Sequence, residues 1–89
     1  MEETFLKIYE NGTIHVKTYL INGNLNGKYE EYYENGILKI NSLYKNGYKH
    51  GLYEEFFETG FLKITCNYIG SLKHGEYKEF YESGNLKIL

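Results

Sequence analysis

Histidine, cysteine and glutamate are the residues of this 89-residue chain that could do chemistry, and most of them recur in columns. His50 and His74 stand 24 positions apart in matching contexts, Lys49-His50-Gly51 and Lys73-His74-Gly75, and such a pair could ligate a metal. On equivalent strands two apart in one sheet they would be separated by roughly 10 Å, from a strand spacing near 4.8 Å. Zinc takes its ligands at about 2 Å, so the two cannot share an ion, and a solvated loop position accounts for both. Cys66 is the single cysteine, which excludes an intramolecular disulfide framework. Its column neighbours are the small residues Thr18 and Ser42, so it reads as packing within a sheet rather than as a nucleophile. Glu31, Glu55 and Glu79 form a ladder with the same wide separation, while adjacent Glu30 and Glu31 point to opposite faces of a strand. Neither arrangement makes a paired-carboxylate site. No Gly-x-Ser-x-Gly, phosphate loop or dinucleotide fingerprint is present. The expectation is a non-enzyme with no catalytic residue, no cofactor and no metal.

Surface chemistry narrows the partners. Aromatic residues make up 18% of the chain and could stack bases. The phosphates would then meet Glu31, Glu55 and Glu79, with no arginine to compensate and a net charge of −2, so nucleic acid is excluded. Lys45, Lys49 and Lys73 gather with the histidines at one loop edge. At about 1 kcal/mol per lysine this gives only marginal attraction to an anionic membrane. The opposite edge carries Glu10, Glu34, Glu58 and Glu82 and would face away. Met1-Glu2-Glu3 lacks the basic-then-apolar pattern of a signal peptide. No apolar run approaches the roughly 20 residues of a spanning helix. These features lead to the expectation of a cytoplasmic protein.

The elements that must position these residues are repeats. The stretch Gly51 to His74 lies on Gly27 to His50 when shifted back by 24, and on Gly75 to Leu89 when shifted forward. Shifted back twice, it lies more loosely on Glu3 to Asn26. Gly12, Gly36, Gly60 and Gly84 form one column, and Gly27, Gly51 and Gly75 a second. Gly23 and Gly47 form a third, which slips by one residue to Gly70. Tyr9, Tyr33, Phe57 and Tyr81 agree with this register, as do Phe5, Tyr29, Tyr53 and Tyr77, and Val16, Ile40, Ile64 and Ile88. A fixed period of this length marks a stacked array in which no unit buries its apolar surface alone. The units run 3–26, 27–50, 51–74 and 75–89, in a single domain.

Apolar residues do not recur at helical spacing, and aromatic and β-branched residues fill runs bounded by turn signals. The expected fold is all-β: an elongated antiparallel meander of stacked hairpins, about seven or eight strands in all. Glu34-Asn35-Gly36 has Glu58-Thr59-Gly60 and Glu82-Ser83-Gly84 as equivalents. A two-residue type I′ turn would force positive φ on Thr59, so a three-residue loop with only the glycine left-handed is expected throughout. Counting back from that loop sets Tyr33 opposite Ile37, Tyr32 opposite Leu38, Glu31 opposite Lys39 and Glu30 opposite Ile40. One face would then carry Tyr32, Leu38, Ile40 and Tyr44, repeated as Phe56, Leu62, Ile64 and Tyr68. The other would carry Tyr29, Glu31, Tyr33 and Lys39 and their equivalents, with Glu–Lys pairs contributing about 0.2 to 1 kcal/mol each. The second glycine column would mark a bend or bulge where a strand begins.

The stretch His50-Gly51-Leu52-Tyr53-Glu54-Glu55-Phe56-Phe57-Glu58-Thr59-Gly60-Phe61-Leu62-Lys63, followed by Tyr68, resembles a MORN-type repeat. It is most similar to the variant found in tandem in antitoxin-like proteins. Three units carry the resemblance well. The first departs from it at Glu3 and Asn26, and the third at Ser71. The resemblance implies an antiparallel sheet that serves as an interaction surface, sometimes for lipid, and no catalysis. A protein partner or self-association is therefore expected, with a membrane as the secondary alternative. Tyr32, Leu38, Tyr44, Phe56, Leu62, Tyr68, Phe80 and Leu86 are the candidate partner surface. Such an apolar face has no helix or second sheet of the chain to cover it. The segment Leu86-Lys87-Ile88-Leu89 is expected to end the array as an exposed edge.

Overall fold

The computed structural model describes residues 2–87; Met1, Ile88 and Leu89 lie outside the described residues. Seven strands follow in chain order: β1 (Glu2–Ile8), β2 (Ile14–Ile21), β3 (Asn24–Tyr32), β4 (Leu38–Lys45), β5 (Tyr48–Phe56), β6 (Leu62–Ile69) and β7 (Leu72–Glu79). Each pairs antiparallel with its sequence neighbours, giving one sheet of order β1-β2-β3-β4-β5-β6-β7. The expected all-β meander is what forms. Beyond β7 the chain turns back and makes one further bridge, Phe80 with Leu86. The Cα atoms span 43 × 35 × 10 Å, which is a single layer.

Two kinds of turn alternate along the sheet. At Glu34-Asn35-Gly36 the Tyr33 N–H donates to Ile37 O, and the Gly36 N–H donates to Tyr33 O. Gly12, Gly36, Gly60 and Gly84 have φ of 90°, 88°, 98° and 94°, and no other loop residue of this column is left-handed. These are three-residue loops. The other edge uses two-residue type I′ turns, with both central residues left-handed. Asn22 and Gly23 have φ 52° and 82°, Asn46 and Gly47 have 51° and 86°, and Gly70 and Ser71 have 56° and 69°. The slip of the third glycine column is therefore an exchange of places within one turn. Either position must be left-handed, so glycine helps at either.

The register differs from a straight count at one point in each hairpin. Tyr32 pairs with Leu38, as counted, but Glu31 then pairs with Ile40 and Glu30 with Asn41. Lys39 is the extra residue of a β-bulge, in which two residues oppose one. The same shift occurs between Glu55 and Phe56, and between Lys7 and Ile8. A bulge of one residue reverses the alternation beyond it. Ile40, Ser42 and Tyr44 thus join the face of Tyr29 and Glu31, while Tyr32 and Leu38 stay on the opposite face. The expected grouping of Tyr32, Leu38, Ile40 and Tyr44 on one face does not hold, nor does that of Phe56, Leu62, Ile64 and Tyr68.

The second glycine column lies inside strands rather than at their start. Between β4 and β5 the pairing steps from Ser42↔Tyr53 to Tyr44↔Lys49, so the longer path of β5 contains Gly51. Gly51 has φ 100°, and a Cβ there would lie 3.3 Å from Leu43 Cδ1. The φ favours glycine there, and a side chain would also have to displace the end of Leu43 slightly. The expected bulge is present, and its shift of two residues leaves the faces unchanged.

Among the described residues, the buried side chains lie on the Tyr29–Glu31 face. Val16, Thr18, Ser42 and Cys66 are the buried side chains there, small residues on the floor between aromatic neighbours. The Thr18 hydroxyl donates to Lys28 O at 3.0 Å. Ser42 Oγ, one unit on, has no hydrogen-bond partner.

Candidate functional site

One unit motif dominates the face that holds the buried residues. The Tyr29 hydroxyl donates to Glu31 Oε1 at 2.8 Å, and Lys39 Nζ lies 3.5 Å from Glu31 Oε2. The same arrangement recurs as Tyr53, Glu55 and Lys63, at 2.8 and 3.3 Å. It recurs again as Tyr77, Glu79 and Lys87, at 3.0 and 2.7 Å. The bulge makes this possible, because it turns the extra lysine toward the glutamate. Each lysine also lies over the next ring: Lys39 over Tyr33 at 5.5 Å, Lys63 over Phe57 at 5.7 Å and Lys87 over Tyr81 at 5.1 Å. Burial, and then donation to glutamate, push the Tyr29 and Tyr53 hydroxyls well above the usual tyrosine value. Hydrogen bonds from Lys87 and Tyr77 hold the Glu79 carboxyl below its usual range. Each carboxylate of the motif thus accepts a tyrosine hydroxyl on one oxygen and has a lysine as ion-pair partner on the other, and the aromatic hydroxyls are held protonated. The ladder is suited to rigid presentation of a surface and not to proton transfer.

Tyr44 and Tyr68 belong to this face. Their rings meet Tyr29 and Tyr53 edge-on, at 5.7 and 5.6 Å between centroids. Lys49 covers both Tyr53 and Tyr68, at 4.7 and 5.0 Å. They are therefore removed from the surface proposed with Tyr32 and Phe56.

In the first unit the motif changes. Phe5, Lys7 and His15 replace the tyrosine, glutamate and lysine, and His15 stacks on Tyr9 at 4.2 Å. Phe5, Lys7, Val16, Thr18, Leu20, Leu25 and Tyr29 line an open hollow of about 370 Å³.

The opposite face carries the apolar residues that remain in register. Tyr32 pairs with Leu38, Phe56 with Leu62 and Phe80 with Leu86. They form a stripe across the sheet beside the three-residue loops. The sequence reading missed its first rung, Ile8 paired with Ile14. The signal was available, because Ile8 and Ile14 stand 24 positions before Tyr32 and Leu38. Ile8, Ile14 and Leu86 are 53, 39 and 51% exposed, and the other rungs are half-buried. Inward of the stripe lies a polar belt, where Asn41 Nδ2 donates to Glu54 Oε1 at 3.1 Å.

The residues weighed for chemistry stay apart. His50 and His74 are exposed, Cys66 is 3% exposed, and no group of three metal-ligating side chains occurs among the described residues. The lysine edge is divided between the faces. Lys49 and Lys73 lie over Tyr53 and Tyr77, whereas Lys45, next to Tyr44 in the strand, points the other way.

No curated protein and no solved structure matches the chain. The MORN repeat variant family does, at residues 25–46, 49–69 and 73–89. Repeats of that family are non-catalytic and generally serve as modules for interaction with proteins or membrane lipids. With three consecutive matched repeats over most of its length, laid out as stacked hairpins in one sheet, the chain belongs to the MORN repeat variant family.

Proposed function

We propose that this chain is a non-catalytic module that binds a protein partner through the apolar stripe, within an assembly or an antitoxin-like pair. One observation carries this reading. Eight apolar residues, Ile8, Ile14, Tyr32, Leu38, Phe56, Leu62, Phe80 and Leu86, lie side by side on a single-layer sheet, and among the described residues no second layer covers them. Contiguous apolar area of this kind marks a contact surface. Exposed Glu34, Glu58 and Glu82 in the adjoining loops suit a partner with an apolar ridge and basic flanks. A lipid surface fits less well, because Lys45 lies on the opposite face from Lys49 and Lys73 and the three cannot approach a bilayer together.

The test is photo-crosslinking from Leu38 or Leu62 against Tyr44 or Tyr68 in cells, with Ile14→Lys and Leu86→Lys as surface variants. Crosslinks to one protein from the first pair only, lost in the lysine variants while the melting temperature holds, support the reading. Equal crosslinking from both pairs sinks it. So does binding to anionic vesicles that survives in the lysine variants.

A further inference from the structure

The two outer strands of the sheet are unlike. β7 carries Lys73, His74, Glu76 and Lys78, with Gly75 at φ 78° among them. A bend of this kind keeps further strands from adding to an edge, whereas charge is common to both strands, β1 carrying Glu2, Glu3 and Lys7. β1 has no glycine, and the extra residue in its pairing belongs to β2. All seven of its residues are exposed, with Phe5, Leu6 and Ile8 at 45, 50 and 53%.

The free backbone of β1 can be placed. The Tyr9 N–H donates to Thr13 O across its own hairpin. By the alternation of an antiparallel strand, Lys7, Phe5 and Glu3 then turn their backbone groups toward β2. Leu6 and Thr4 turn theirs outward. Glu3, Phe5 and Lys7 share one face, opposite Leu20, Thr18 and Val16.

We propose that β1 pairs antiparallel with β1 of a second copy, in the register centred on Phe5. In that register Thr4 of one copy faces Leu6 of the other, and each such pair exchanges both of its backbone hydrogen bonds. Phe5 meets Phe5 of the second copy. Glu3 faces Lys7 of the second copy, and Lys7 faces its Glu3, so opposite charges meet on both sides of the two-fold axis. Cross-strand neighbours come within about 4.5 to 5.5 Å at Cβ, close enough for both contacts. Registers centred on Thr4 or Leu6 set Glu3 or Lys7 against phenylalanine instead. The self-complementary order acid, aromatic, base therefore selects one pairing. The axis is perpendicular to the sheet, so the two copies keep common faces and leave both apolar stripes open. A single strand pair is a small interface, and the dimer belongs to the weak class. This inference does not rest on the partner proposed for the stripe.

Charge exchange tests it by sedimentation over a concentration series reaching millimolar. The wild type should pass from monomer to dimer as concentration rises. Glu3→Lys and Lys7→Glu each bring like charges together and should each remain monomeric. Mixed in equal amounts, the two variants restore both opposite-charge contacts and should again give dimer. Leu6→Pro removes an outward N–H that the sheet does not use and should be monomeric with its β-sheet circular dichroism intact. Leu86→Lys should dimerise like the wild type. A wild type that is monomeric throughout overturns the pairing, as does a failure of the mixture to recover dimer. Loss of dimer in Leu86→Lys would assign association to the stripe instead.

Discussion

The Tyr33 hydroxyl donates to the carbonyl of Phe56, 2.7 Å away in the next unit. Tyr9 makes the same bond to Tyr32 O at 2.7 Å. Phe57, the next member of the column, has no hydroxyl with which to reach Phe80. This bond therefore ties two joints of the array and cannot form at the third. A half-buried hydrogen bond contributes about 0.5 to 1.5 kcal/mol. Tyr33→Phe should lower stability by about that amount and Phe57→Tyr should raise it, read as opposite shifts in chemical denaturation midpoints. Shifts of the same sign would show that the bond does not join the units.

The three-residue loops make a second comparison. Gly60 has φ 98°, so Gly60→Val forces a β-branched side chain into the left-handed region at a cost of about 1 kcal/mol or more. Thr59→Asn should be neutral or stabilising. Asn35, at the equivalent position, accepts from Ile37 N at 2.9 Å and donates to Glu58 O at 3.3 Å. Equal melting temperatures for the two variants would refute this account of the loop.

Ser42 Oγ is buried without a partner, in the column where Thr18 has one and Cys66 needs none. Leaving a buried hydroxyl unpaired costs roughly 1 to 3 kcal/mol. Ser42→Cys should therefore raise the melting temperature, and Thr18→Ala should lower it. A destabilised Ser42→Cys would indicate that the hydroxyl is satisfied in solution.

Alkaline pH should act through Tyr29 and Tyr53. Their hydroxyls titrate higher in the fold than the usual value of about 10, first through burial and then through donation to Glu31 and Glu55. Above about pH 10 the unfolded chain releases protons that the folded one retains, so stability is level below that pH and declines above it. The Tyr29→Phe, Tyr53→Phe double variant, which shares the lysines, should decline less steeply. Identical pH profiles would contradict the assignment.

The architecture was legible in the sequence because period, turn chemistry and strand composition agree. The glycine columns alone placed both sets of turns, and Thr59 decided the loop length. The faces were legible only up to the bulges. Lys39 and Lys63 sit at bulges, and no residue type at those positions signals an extra residue, so a straight count runs one place out beyond them. That displacement put Tyr44 and Tyr68 on the wrong face. The tyrosine, glutamate and lysine columns fall on one face by either count, and they meet there as the Glu–Lys pairs expected from the sequence. Ile8 and Ile14 were overlooked because the first unit is the most divergent, although its spacing still carried them.

Strand order along the sheet repeats strand order along the chain, from β1 to β7 without a crossover. Each hydrogen-bonded ladder therefore joins segments close in sequence, unlike the long return connection of a Greek key. Folding rate falls as contacts become more distant in sequence, because the closure entropy of long loops must be met before those contacts form. This chain avoids that barrier. A single hairpin such as β3–β4 can form first and template the next strand on either side, so the sheet should fold far faster than a Greek-key sandwich of the same length.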